Sequence, residues 1–166
     1  MITMAIDASS KSTGIAIFKD KELVAHHLVA AAGQDSLARI KKMVSEIEVL
    51  YKTWNVDKVI MEDVIPEDVH HNQNVFKVLH YLQAAVVLML HGHDQEVEFY
   101  VSSEWRKKCS IRTGRGITRD MVKAADIKFV KDNYNLDVND DIADAICIGY
   151  AYTHPKASTP VRESAF

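Results

Sequence analysis

The run Asn139-Asp140-Asp141-Ile142-Ala143-Asp144-Ala145 is the stretch that most limits how this chain folds. Read as a helix, it puts carboxylates three and four residues apart, on one side of the first turn. It leads directly into Ile146-Cys147-Ile148-Gly149-Tyr150-Ala151, an apolar continuation that belongs in a core. Acids entering a buried helix are costly unless something cationic neutralises them. Either they cap and solvate the helix start, or they hold a metal.

At 166 residues the chain reads as one domain, large enough to bury a proper core. The hydrophobic share of 48% and charged share of 26% are those of an ordinary globular protein. The two cysteines, Cys109 and Cys147, stand in unrelated contexts, which fits a reducing compartment and excludes a disulfide framework or a cysteine-rich zinc site. The N-terminus lacks the basic and long apolar regions of a signal peptide. No uncharged run approaches the roughly 18 residues that span a membrane, so a cytoplasmic protein with no membrane partner is expected.

Charge is unevenly placed. Residues 105–131 hold nine of the 20 Lys and Arg but two of the 23 Asp and Glu, leaving the remainder strongly acidic. Such asymmetry suggests a polyanion held on one face. Lys123, Lys128 and Lys131 read equally well as a solvated helix face. Arg106 to Arg119 instead bracket a Thr113-Gly114-Arg115-Gly116 loop, which points to nucleic-acid contact.

Taken in order, residues 2–7, 14–18 and 23–29 form an antiparallel three-stranded meander with a turn at 19–22. Leu37, Ile40, Met43, Val44, Ile47 and Leu50 recur at helical spacing over 36–54, with Asp35 or Ser36 as N-cap. A fourth strand, 56–62, ends on Glu62 as the first ends on Asp7. The next helix, about 72–90, becomes apolar nearly all round, so it is either sandwiched inside the fold or shared with a second subunit. A fifth strand follows at 97–101, then a short helix from 102. A helix over 118–133 has Met121, Val122, Ala125 and Phe129 as its apolar stripe, and the last helix runs 140–152. Residues 155–166 read as a loosely ordered tail after a domain of 1–154. The pattern is α/β, a mixed five-stranded sheet with helices on its faces.

In such sheets function collects at strand ends. Asp7 and Glu62 are neighbours if their strands pair, and the last helix brings Asp141 and Asp144 to the same edge. Hard, oxygen-binding Mg²⁺ or Mn²⁺ suits such donors. Two ions about 4 Å apart clamp the attacking and leaving oxygens of a phosphodiester, and a basic loop alongside holds its backbone.

The ordered set of motifs carries a resemblance. Ala5-Ile6-Asp7-Ala8-Ser9-Ser10-Lys11-Ser12-Thr13-Gly14 resembles the opening of RuvC-type Holliday junction resolvases, which have the RNase H-like nuclease fold. Met61-Glu62-Asp63-Val64 resembles the family's second acidic motif, and Asp141-Ile142-Ala143-Asp144-Ala145 its final one. The resemblance covers roughly residues 2–154. It implies a structure-selective endonuclease of DNA recombination and repair that resolves four-way junctions by paired, metal-dependent hydrolysis, leaving 5′-phosphates. Asp7, Glu62, Asp141 and Asp144 are then the ligands of two Mg²⁺ or Mn²⁺ ions. The helix about Asn72 to Leu90 is then a homodimer interface. Lys107 or Lys108 matches an early family lysine, the 113–116 loop resembles the family's basic loop, and Arg119 replaces a later lysine. With Arg112 and Arg115, these residues are the expected DNA contacts. Where the family has a wedging aromatic, this chain has Ile65 and then a longer loop to Asn72, which completes the DNA-binding set. The divergence and compact size suggest a phage-encoded member working in a bacterial host.

Blander assignments stand beside these. Asp140 or Asp141 serves equally as a simple cap, and the helix leaves open which of them joins Asp144, since both lie within half a turn of it; the resemblance alone favours Asp141 as ligand, with Asp140 or Asn139 as cap. Asp63 should point to the opposite side of its strand from Glu62. The eight histidines show no metal spacing, His70 and His71 being candidate DNA-loop contacts, and Trp105 reads as core. Two alternative functions remain: a catalytically silent branched-DNA-binding module on the same fold, and an ATP-binding domain of the actin and sugar-kinase type.

Overall fold

Near-continuous apolar runs in the first two strands set up a sheet that is covered on both faces. In the computed structural model, which describes residues 1–64 and 73–155, β1 (Ile2–Ala8) pairs antiparallel with β2 (Ser12–Lys19), and β2 with β3 (Glu22–Ala30). β4 (Lys58–Glu62) joins β1 in parallel, and β5 (Val97–Tyr100) joins β4 in parallel, giving the order β3-β2-β1-β4-β5. Met4, Ile6, Ile15 and Ile17 point to one face and Ala5, Ala16, Phe18 and Ile60 to the other, as a period of two requires.

α1 (Ser36–Trp54) and α2 (Gln73–His91) cover the first face. Asp35 caps α1 by accepting from the Leu37 amide at 3.0 Å, and Asn55 ends it in the left-handed region at φ 46°. α3 (Ser102–Lys108), α4 (Arg119–Tyr134) and α5 (Asp140–Thr153) cover the second. The small Ala5 and Ala16 leave room there for α5. At Gly149 a Cβ would lie 2.3 Å from the Phe18 ring and 3.1 Å from the Ala5 Cβ, so only glycine lets the helix sit this close to the strands.

One expectation narrows and another changes. α2 is not sandwiched: it buries Leu82, Gln83, Val86 and Leu90, while Tyr81 and Leu88 (71% exposed) face outward. By length and composition α2 is also long and apolar enough to cross a membrane, the one such helix among the described residues. On α4 the stripe is turned by one residue. Met121 is 52% exposed and the buried positions are Asp126 and Val130, because this helix spends its inward face on an ion pair. Ile65 and Asn72 lie outside the described residues, as does the tail from 156.

Candidate active site

The ends of β1 and β4 and the start of α5 meet at one edge of the sheet. Parallel pairing of β1 with β4 sets Ile6 beside Met61, so the next residues, Asp7 and Glu62, leave the sheet side by side. α5 reaches the same edge because Gly14, opposite Asp7 on β2, has no side chain. A Cβ on Gly14 would stand 1.9 Å from the Asp141 carbonyl oxygen. Asn139 caps the helix by accepting from the Ile142 amide at 3.1 Å. Asp140 pairs with Lys123 of α4, and Asp141 accepts from the Ser12 hydroxyl. Cap, pair and cleft acid are therefore three different residues.

Asp7, Glu62, Asp141 and Asp144 all line a single cleft of about 760 Å³, together with Ser9 and Ser10, Asp63, Arg106, Thr113, Arg119 and Lys123. Asp63 shares it because β4 has already ended at Glu62, so strand alternation no longer fixes its direction; its amide donates to Tyr100 O at 2.9 Å. Crowding shows in the acids' proton affinities. Burial, then Glu62 and Asp141, push the Asp7 carboxyl well above the usual range against opposition from Arg106 and Lys123. Burial, then Asp7 and Asp126, hold Asp144 up at about 9.

Basic residues divide into two groups. Arg106 and Arg119 line the cleft, while Lys107, Arg112 and Arg115 are exposed outside its lining. Lys108 is engaged elsewhere, donating to the Tyr100 hydroxyl at 2.7 Å and lying 4.4 Å over that ring. Arg106 was read only as part of a basic run, yet it is the best-fixed cation of the site. Its Nε donates to Asp126 Oδ2 at 3.2 Å, its Nη2 lies 3.1 Å from that same oxygen and donates to Asp144 Oδ2 at 3.4 Å, and its guanidinium stacks 4.1 Å from the Trp105 ring. Behind it, Cys109 and Cys147 are both free and buried, with Cys109 Sγ donating to the Cys147 carbonyl at 3.4 Å; they share one core after all.

The donor set is oxygen-only and acidic, which is the chemistry of Mg²⁺ and Mn²⁺ rather than of zinc. Asp144 Oδ1 is buried without a hydrogen-bond partner, an orphan acceptor beside the cleft that a cation would satisfy. Among the described residues no three His, Cys, Asp or Glu side chains already enclose an ion-sized site. The acids approach the cleft from three elements, β1, β4 and α5. On these grounds the residues fit divalent metal.

A mixed sheet in this order, with acids delivered by β1, β4 and the last helix, defines an RNase H-like fold. The chain belongs to the RuvC family: the family model for the crossover junction endodeoxyribonuclease RuvC matches residues 3–154. Solved structures agree in fold. RuvC of T. thermophilus in complex with a Holliday junction substrate superposes with a TM-score of 0.73 at 12% identity, over 93% of this chain and 94% of that one. The Fowlpox virus resolvase with Holliday junction DNA gives 0.59 at 16% identity, over 93% and 97%. The yeast mitochondrial Holliday junction resolvase Ydc2 gives 0.61 at 11% identity, over 91% and 77%. No curated protein matches the sequence.

Proposed function

We propose that this protein is a divalent-metal-dependent endonuclease that resolves four-way DNA junctions, leaving 5′-phosphate ends. The observation that carries this reading is the convergence of Asp7, Glu62, Asp141 and Asp144 on one cleft in a chain of the RuvC family. These four residues would hold two Mg²⁺ or Mn²⁺ ions. When bound, such ions would activate water and neutralise charge on the attacking and leaving oxygens.

The chain's own groups supply the remainder. Ser12 orients Asp141 by donating to it, and Lys123, tied to Asp140, keeps positive charge at the cleft wall. Arg119 and Thr113 offer donors to the DNA backbone from the rim, and Arg112 and Arg115 extend that positive field along the loop. The outward Tyr81 and Leu88 of α2 support a homodimer through this helix, which would pair two clefts for two nicks. Retention of all four acids favours an enzyme over a silent DNA-binding module, and the family match over residues 3–154 favours a nuclease over an ATP-binding domain.

The test is a nicking assay on four-way junctions in Mg²⁺, with linear duplex and forked DNA alongside. Wild type should cleave the junction and Asp7→Asn should bind it without cleaving. Equal cleavage by both proteins, or binding by both with no cleavage by either, overturns the nuclease reading.

A further inference from the structure

Asp126 is an acid with no place in the four-carboxylate site. It lies on α4, is fully buried, and is absent from the cleft lining, so it is not positioned to meet substrate. One of its oxygens, Oδ2, accepts from Arg106 Nε at 3.2 Å and lies 3.1 Å from Nη2; the other, Oδ1, is buried without a hydrogen-bond donor. A buried carboxylate with one oxygen unsatisfied is expensive to keep, and a well-packed apolar residue at such a position is often at least as stable. Its presence calls for a role beyond packing.

The geometry of the guanidinium supplies one. Arg106 touches two carboxylates unequally: Asp126 by two contacts at 3.1 and 3.2 Å, Asp144 by one at 3.4 Å. Charged pairs close to about 2.7–2.9 Å when nothing restrains them, so the Asp144 contact is a stretched one. The Trp105 ring, 4.1 Å from the guanidinium, restrains the plane from another side. Without Asp126, a buried guanidinium would have Asp144 as its nearest full counter-charge and would close on it.

We propose that Asp126 is a positioning residue that holds Arg106 back from Asp144, leaving Asp144 available to a divalent cation and the free guanidinium edge available to a phosphate oxygen. The proposal rests on the metal-dependent reading of the cleft. Arg106 is then both the resident cation of the site and, once Asp144 is given up, a fixed donor toward the DNA backbone. Asp126 decides the partition by holding Nε and standing 3.1 Å from Nη2, which lies 3.4 Å from Asp144.

The experiment measures Mn²⁺ binding to the full-length protein, by the electron paramagnetic resonance of free Mn²⁺, beside thermal melting and single-turnover junction cleavage. In Asp126→Asn the guanidinium loses its charged anchor and closes on Asp144. Mn²⁺ affinity should fall about tenfold, the order of one charge-assisted contact, and excess Mn²⁺ should restore much of the cleavage. A second variant guards against misfolding: Asp126→Leu with Arg106→Met replaces the buried pair by apolar groups of similar size. With the competing cation gone it should bind Mn²⁺ at least as tightly as wild type, yet cleave more slowly because the phosphate donor is missing. A merely structural Asp126 would lower the melting temperature of Asp126→Asn and leave Mn²⁺ affinity unchanged. That result overturns the proposal, as does weakened Mn²⁺ binding in the double variant. If wild type itself binds no Mn²⁺, the metal reading fails and this inference with it. If wild type binds and cleaves but Asp126→Asn does so equally well, only the inference fails.

Discussion

Replacing Gly14 by alanine puts a methyl group where the last helix begins. The new Cβ would lie 1.9 Å from the Asp141 carbonyl oxygen and 2.4 Å from its carbon. Both are backbone atoms, so no side-chain rotation relieves the overlap. Carbon contacts are comfortable at about 3.5 Å, so the start of α5 must retreat by roughly 1.5 Å from β2. Asp141 and Asp144 ride on that turn and move with it, while Asp7 and Glu62 stay with their strands. Overpacking of this kind costs about 1–3 kcal/mol, and each kcal/mol lowers the melting temperature of a domain this size by about 2–4 °C. The loss of function should be larger than the loss of stability. Misplacing catalytic groups by about 1 Å costs on the order of a hundredfold in rate. Gly14→Ala should therefore melt several degrees early and, assayed well below its melting temperature, cleave junctions at about a hundredth of the wild-type rate. Gly33→Ala is the control: its φ of +117° makes alanine strained, but nothing stands within 4 Å of the added carbon. It should lose stability and keep its rate. If Gly14→Ala folds and cleaves at the wild-type rate, the close approach of α5 to β2 does not position the site.

Three further outcomes are expected. Asp144 is held at about 9 by burial and by its acidic neighbours, against an ordinary 3.8; between those values the folded state binds more protons than the unfolded one, so stability falls as pH rises. Melting temperatures in EDTA should decline from about pH 4 toward pH 9, with saturating Mn²⁺ flattening the decline, and a flat EDTA profile refutes the buried-acid account. Leu88→Glu places a charge on the outward face of α2, where Leu88 is 71% exposed; sedimentation should show a dimer for wild type and a monomer for the variant, and a monomeric wild type refutes the interface. Arg115→Ala in the exposed loop should weaken junction binding at all sequences and lower the salt slope by about one, whereas an unchanged slope removes Arg115 from the backbone contacts.

Much of this could be read from the sequence because its causes are local. The apolar runs at residues 2–7 and 14–18 and the helical spacing of Ile40, Met43 and Ile47 depend only on near neighbours, and the strands and helices stand close to where that patterning puts them. Bringing Asp7, near the end of β1, beside Glu62, at the end of β4, needed one further inference, that the two strands pair, and they do so in parallel. The elements of the RNase H-like sheet and the acids delivered to its edge were thus determined by the sequence. Three features were decided only by packing. Periodicity predicts that α4 buries Met121, but Asp126 is buried instead because its counter-charge comes from Arg106, twenty residues earlier on another helix. Asp140 and Asp141 are indistinguishable within their own turn; Lys123 takes one and Ser12, from the first hairpin, touches the other. Apolarity all round α2 is compatible with burial on every side, and the fold excludes that by packing one side and leaving Tyr81 and Leu88 outside. In each case the deciding partner is distant in sequence and close in space, and a local pattern carries no record of such a partner.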